Sequence, residues 1–151
     1  MSARKLLLFR CRGRVFAVDA TVVREILPTS PPTRIPLAPV AVRGLVNVRG
    51  TLVTVVDAAR AIFLADVPEP DDDAPGDDGA GRKLVLIEQR SRPVGLIVDD
   101  VLDLVSVGDG ALGAPEPAGD VRPGVVAATG AAGGEPFAQL ATDVLLEPLL
   151  A

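Results

Sequence analysis

Two adjacent carboxylates, Asp99 and Asp100, are the first place to look for chemistry, because paired acids can divide general acid and base duties. The residues on either side, Leu96 to Val98 and Val101 to Val107, read as strand, and neighbours on a strand point to opposite faces. The two carboxyl groups therefore cannot converge on one substrate atom. Asp57 and Asp143 each follow an apolar, strand-like run and read as helix caps or turn formers. Asp71-Asp72-Asp73 could hold a hard cation, but the spacing and terminal glutamate of a calcium loop are missing. Gly13, Gly44 and Gly50 form no phosphate-cradling pattern. Cys11 lies on the apolar side of a strand and reads as inert core. Histidine is absent, which removes Ser-His-Asp and Cys-His hydrolases, His-ligated zinc and a phosphorylated histidine. A single cysteine allows neither an internal disulfide nor a Cys-rich metal site. No catalytic group, metal or cofactor is expected.

What remains is a surface for binding. Arg43 and Arg49 are unusual in a strand so rich in valine. Both lie off the Val42, Gly44, Val46 and Val48 face, and with Leu45 and Asn47 they make a stripe of mixed polarity. Gly44 in mid-strand marks a bulge or the close approach of another chain. Glu25 is the one acid in a basic neighbourhood, and an ion pair with Arg49 at the rim of a groove is expected. Such an exposed pair adds little stability but can pin a groove's shape.

These candidates need elements to hold them. The chain of 151 residues is the size of one domain and carries a net charge of −5, unevenly spread. Residues 1 to 65 hold ten Lys/Arg against three acids; residues 66 to 81 hold seven acids and no base; residues 82 to 151 hold five bases and ten acids. The middle run reads as a flexible acidic loop or linker: a solvated tether, an acidic lure for a basic partner, or a charge that screens the basic first half. The acidic balance and the absence of Trp and Tyr argue against a nucleic-acid partner. No stretch approaches the roughly 18 apolar residues of a membrane span, and Leu6 to Phe9 is too short for a signal peptide. A soluble, cytoplasmic chain without direct membrane insertion is expected.

The dominant period is two. Leu7, Phe9 and Cys11 alternate into a hairpin that returns through Val15 to Val18 after a turn at Gly13-Arg14. Asp19 is placed to cap a two-turn helix, Ala20 to Leu27, with Val22, Val23, Ile26 and Leu27 on one face. Val42 to Val48 and Leu52 to Val56 form a second hairpin about Gly50-Thr51, followed by a short helix, Ala58 to Leu64. Leu84 to Ile87 is a strand, and Pro93 to Val107 is one long strand or two bent near Asp99-Asp100. After a loop from Gly108 to Gly124 come strands at Val125 to Ala128 and Phe137 to Ala141, then a helix toward Leu150 capped by Asp143. The halves echo each other: Phe16 to Asp19 matches Leu96 to Asp99, and Gly44 to Gly50 matches Gly124 to Gly130. A real repeat would make two small barrels of about five strands, packed together because neither has a sufficient core alone.

Phe16-Ala-Val-Asp19, Val23-Arg-Glu-Ile26, Thr33-Arg-Ile-Pro36, Val42-Arg-Gly-Leu-Val-Asn-Val-Arg-Gly50, Leu52 to Asp57 and Pro93-Val-Gly-Leu-Ile-Val-Asp99 occur in the same order as in the CheW-like domain of bacterial chemotaxis. The chain resembles that family from Lys5 to Leu146. The resemblance implies a mainly β fold of two five-stranded SH3-like β-barrels packed across a shared apolar core, with short helices, in a single domain over residues 5–151. It implies no enzyme activity. It implies instead a scaffold that couples the helical cytoplasmic tip of a chemoreceptor to the regulatory domain of the histidine kinase CheA, recruited to membrane-associated receptor arrays. The same domain could serve a non-flagellar system controlling surface motility or gene expression. On this resemblance Val23, Glu25 and Ile26 line the partner-facing side. Gly44, Asn47, Arg49 and Gly50 sit at the receptor groove or its support, and Val94, Gly95, Leu96 and Val98 form the opposing wall between the barrels. Departures from the family pattern are Thr54, where proline is usual, Ala58, where leucine is usual, and the long acidic connection.

Overall fold

The computed structural model describes residues 3–64, 82–115 and 119–150; the acidic run expected at 66–81 lies outside the described residues. Among the described residues, alternating or continuously apolar runs give ten strands: β1 (Ala3–Cys11), β2 (Arg14–Asp19), β3 (Val23–Pro28), β4 (Val42–Val48), β5 (Thr51–Asp57), β6 (Lys83–Gln89), β7 (Arg92–Val98), β8 (Asp100–Gly108), β9 (Val126–Ala132) and β10 (Glu135–Leu140). Two helices, α1 (Ala58–Ile62) and α2 (Thr142–Leu150), follow β5 and β10. The hairpins β1–β2, β4–β5, β6–β7 and β9–β10 turn on Arg12-Gly13, Arg49-Gly50, Arg90-Ser91 and Gly133-Gly134, one residue earlier than expected at the first two. All eight residues have positive φ, the mark of the tight turn that matches strand twist.

The strands form two five-stranded sheets. Sheet I has the order β8-β1-β2-β10-β9 and sheet II the order β3-β6-β7-β5-β4. Adding or subtracting five from every strand number converts one order into the other. The correspondence extends to register: β10 runs parallel to β2 from the pair Ala138–Phe16, as β5 runs parallel to β7 from Thr54–Val94. The bulges repeat too, at Arg24 on β3 and Leu102 on β8, and at Arg43 on β4 and Ala127 on β9. The internal repeat is therefore structural, but the echoed segments read from sequence are out of register. Phe16 corresponds to Val94 rather than Leu96, and Gly44 to Ala128 rather than Gly124.

The acidic connection does not divide the sheets. Sheet I takes β1 and β2 from before it and β8, β9 and β10 from after it, and sheet II takes the complementary set. Neither sheet closes by a continuous ladder. In each, the segment leaving one edge strand bridges the opposite edge at one point: Thr33, beyond β3, exchanges two hydrogen bonds of 2.8 Å with Leu45 on β4, and Gly113, beyond β8, exchanges two with Thr129 on β9.

β1 and β7 are buried on both faces, so their sequences read as near-continuous apolar runs. Leu6 and Leu8 face the interior of sheet I with Val15, Ala17, Val107 and Phe137; Leu84 and Ile97 face that of sheet II with Val46, Val53 and Val55. The opposite faces meet in a larger shared core, where Leu7, Phe9 and Phe16 oppose Val56, Val85, Ile87, Val94 and Leu96. Ile62 of α1 and Leu145 and Leu146 of α2 are fully enclosed there.

The expected helix at Ala20–Leu27 is absent. Asp19 caps only a single 3-10 turn, Ala20–Val22, after which the chain extends as β3. The bulge at Arg24 explains the error: Val23 pairs with Ile87 and Ile26 with Val85, so both face the same side three residues apart, which imitates helical spacing. Asp57 does cap α1, accepting from the N–H groups of Ala59 at 3.0 Å and Arg60 at 3.4 Å. Asp143 lies inside the first turn of α2 and accepts a side-chain hydrogen bond from Gln89 rather than capping.

Candidate functional site

β3 and β4 are the two edges of sheet II, and the site spans the gap between them. The Arg24 bulge turns Glu25 away from Val23 and Ile26, onto the side of Leu86 and Leu27. Across the gap, Arg49 stands in the β4–β5 turn with φ at 51°, followed by Gly50 at 84°. Asn47 holds that turn through its Oδ1, which accepts the Gly50 N–H at 2.7 Å. The Arg49 guanidinium then meets the Glu25 carboxylate two-pronged: Nη1 donates to Oε2 at 2.6 Å and Nη2 donates to Oε1. The ion pair expected from sequence forms, and it joins the same two edges that Thr33 and Leu45 bridge. The hydrogen bonds and positive charge of Arg49 hold the Glu25 carboxyl below its usual range, and Glu25 in turn raises the Arg49 guanidinium. Arg49 remains largely exposed, so the pair is a surface feature.

The other predicted partner residues divide into two groups. Val23 packs against the shared core, Ile26 shares its face and stays exposed, and Asn47 and Gly50 are exposed at the turn. Gly44 is buried: with φ at 141° it admits the chain's own 33–34 segment, and a Cβ there would overlap the Thr33 carbonyl. Gly44 borders the Arg43 bulge, and the backbone that approaches it is the chain's own rather than another chain's. Val94, Leu96 and Val98 are enclosed in the shared core, and Gly95 packs against Leu84. The wall expected from them is thus internal. It supports sheet II and offers nothing to a partner's side chains.

The residues weighed for chemistry have structural partners. Asp99 Oδ2 accepts the Arg12 backbone N–H at 2.8 Å, while Asp100 pairs with Arg10 in the β1–β8 ladder. Cys11 is buried, and burial together with the nearby Asp99 and Asp57 carboxylates pushes its thiol up to about 12. Among the described residues no three potential metal ligands gather, and no helix is long and apolar enough to cross a membrane; Asp71-Asp72-Asp73 lies outside them. Sequence reasoning passed over Ile35, Leu37 and Val40, three exposed apolar side chains in the proline-rich segment between β3 and β4. The signal was available: apolar residues spaced between prolines without a strand or helix period.

The CheW-like domain family model matches residues 5–147, almost all of the chain and both sheets. The chain belongs to the CheW-like domain family. Among relatives, the probable chemotaxis protein CheW of Rhizobium etli is 31% identical over 106 residues, and the chemotaxis protein CheW of Rhizobium meliloti 36% identical over 108. Each match covers 70% of this chain and 63% of the relative, so the chain spans a little under two thirds of the length of these CheW proteins. The crystal structure of the scaffolding protein TtCheW from Thermoanaerobacter tengcongensis superposes with a TM-score of 0.81, covering 97% of this chain and 94% of that one, at 19% identity. That likeness establishes the CheW-like fold, and the two open five-stranded sheets are this chain's version of it.

Proposed function

We propose that the chain is a non-enzymatic adaptor that couples the cytoplasmic helical tips of chemoreceptors to the histidine kinase CheA. Family membership supports this reading, and one geometric observation carries it: an exposed, two-pronged Glu25–Arg49 pair spanning the two edges of sheet II. Exposed Ile26 supplies an apolar anchor and the pair supplies register for a helical partner. Asn47 and Gly50 set the turn that aims Arg49, Val23 seats the strand that carries Glu25 and Ile26, and Gly44, Val94, Gly95, Leu96 and Val98 act as support. Each sheet works as an SH3-like barrel pinned by its single bridge, and residues 5–151 act as one domain, in the cytoplasm at receptor arrays.

Co-sedimentation with receptor-containing membranes, with and without CheA, tests the proposal. The parent chain should pellet with receptor, and Arg49→Glu should lower that binding about tenfold or more while leaving the circular dichroism spectrum unchanged. Because Glu25 titrates below the usual carboxylate range, binding should stay flat from about pH 8 to pH 5 and weaken only as the pH falls through the lowered value. Full binding by Arg49→Glu removes the site; no binding by the parent to either partner removes the function.

A further inference from the structure

The bulge that turns Glu25 away from Val23 and Ile26 is itself held by a second ion pair. Arg24, the bulged residue of β3, reaches Glu88 on β6: its Nε donates to Glu88 Oε2 at 2.8 Å, and Nη2 lies against the same oxygen. Its Nη1 donates to the Thr21 carbonyl at 3.2 Å, so each guanidinium nitrogen is engaged. Thr21 is fixed in turn, its N–H and hydroxyl donating to Asp19 Oδ1 at 3.0 and 2.8 Å. One arginine thus ties the 3-10 turn, β3 and β6 together at the residue before Glu25. Both side chains of the tie are exposed, so it adds little stability. What it can hold is direction, because a bulge re-aims the side chains beside it.

In sheet I the matching bulge carries Leu102, and the place of Glu88 is taken by Arg10, which pairs with Glu135 at 3.5 Å. The carboxylate that follows, Asp103, bends back to accept the N–H of its neighbour Leu104 at 2.8 Å. Sheet I lacks both the tie and the arginine across the gap, so the two pairs occur together or not at all. On the reading of the Glu25–Arg49 pair as the receptor-facing site, we propose that Arg24 and Glu88 are positioning residues: they set the β3 bulge so that the Glu25 carboxylate projects across the gap to Arg49. Their effect on a partner passes through Glu25 and needs no contact of their own.

Carbon-detected NMR titration of Glu25 in the full chain tests this without any partner, with Glu25→Gln identifying its resonance. Loss of charge and loss of position predict opposite signs. Removing the negative charge of Glu88 would by charge alone favour the ionised Glu25 and lower its titration further. If Glu88 sets the bulge, Glu88→Gln instead frees the Glu25 carboxylate from Arg49, and its titration moves up toward the ordinary glutamate range. Arg24→Gln should move it the same way, Arg24→Lys less, and the double variant no further than Arg24→Gln alone. Urea midpoints should stay at the parent value, while receptor co-sedimentation of Glu88→Gln should fall about threefold or more. A Glu25 titration unchanged or lowered in Glu88→Gln overturns the proposal. A raised titration with undiminished receptor binding upholds the positioning role and removes the pair as the receptor site, so the two failures are told apart.

Discussion

In sheet II, Val46, Val53 and Val55 fill the interior with Leu84 and Ile97. At the equivalent positions sheet I carries Gly130, Phe137 and Gln139. The phenylalanine lies over the glycine so closely that a Cβ on Gly130 would come within 2.8 Å of its ring, so one large side chain replaces two valines. Gln139 has no such substitute: it is buried, and its Oε1 accepts no hydrogen bond among the described residues. The helix contacts differ as well. Arg12 stacks over Phe63 at 5.9 Å, whereas the equivalent Arg90 pairs with Glu147 at 3.5 Å. The places of Glu25 and Arg49 are taken in sheet I by Asp103, which bonds to the N–H of its neighbour Leu104, and by Gly133. One wiring diagram thus tolerates different fillings, and only one copy carries the charged pair.

The largest effects should be shared by both copies. Ile62 and Leu146 occupy matching places on α1 and α2 and are fully enclosed, so Ile62→Ala and Leu146→Ala should each cost about 2–5 kcal/mol in urea denaturation. A large cost for one and none for the other would break the equivalence. Gly44→Ala should come next, at about 3 kcal/mol, because the new Cβ meets the Thr33 carbonyl in a left-handed backbone; the reverse change at the matching place, Ala128→Gly, should cost only about 1 kcal/mol or less. Equal costs would show that the Thr33 bridge is not what demands glycine. Gln139→Leu should stabilise sheet I by about 1 kcal/mol, as it removes the orphaned carbonyl at similar volume.

The smallest effects are tied to pH. The Cys11 thiol is raised from 9.0 to about 12 in the folded chain, so the unfolded chain ionises first. Its contribution to stability is complete below pH 9 and declines as the pH climbs toward 12, which a series of urea midpoints would record. The same thiol should resist a disulfide reagent at pH 8 until the chain is unfolded.

The hairpins were legible because alternation and positive-φ turn residues act locally, as at Leu7 to Val18. The bend at Asp99-Asp100 was legible only as one of two alternatives, since two polar residues interrupting an apolar run also fit a single long strand. The Glu25–Arg49 pair could be read because a lone acid among bases has few places to go. The fate of Val23 to Leu27 could not: its bulge is defined only by β6, sixty residues away, which the local pattern does not contain. Burial of Val94, Leu96 and Val98 was hidden likewise, since a strand enclosed on both faces looks the same as one with a wall to offer. The register of the repeat depended on parallel pairings between distant strands, and glycine-bounded segments drew the eye to the wrong offset.

The exchange of strands between the halves sets an order of assembly. As the chain leaves the ribosome, sheet II has all its strands once residue 98 has emerged, whereas sheet I waits for β10. The β1–β2 hairpin must therefore hold Leu6, Leu8 and Ala17 without Phe137 until β10 has emerged, so of the ten strands the first pair made belongs to the sheet completed last.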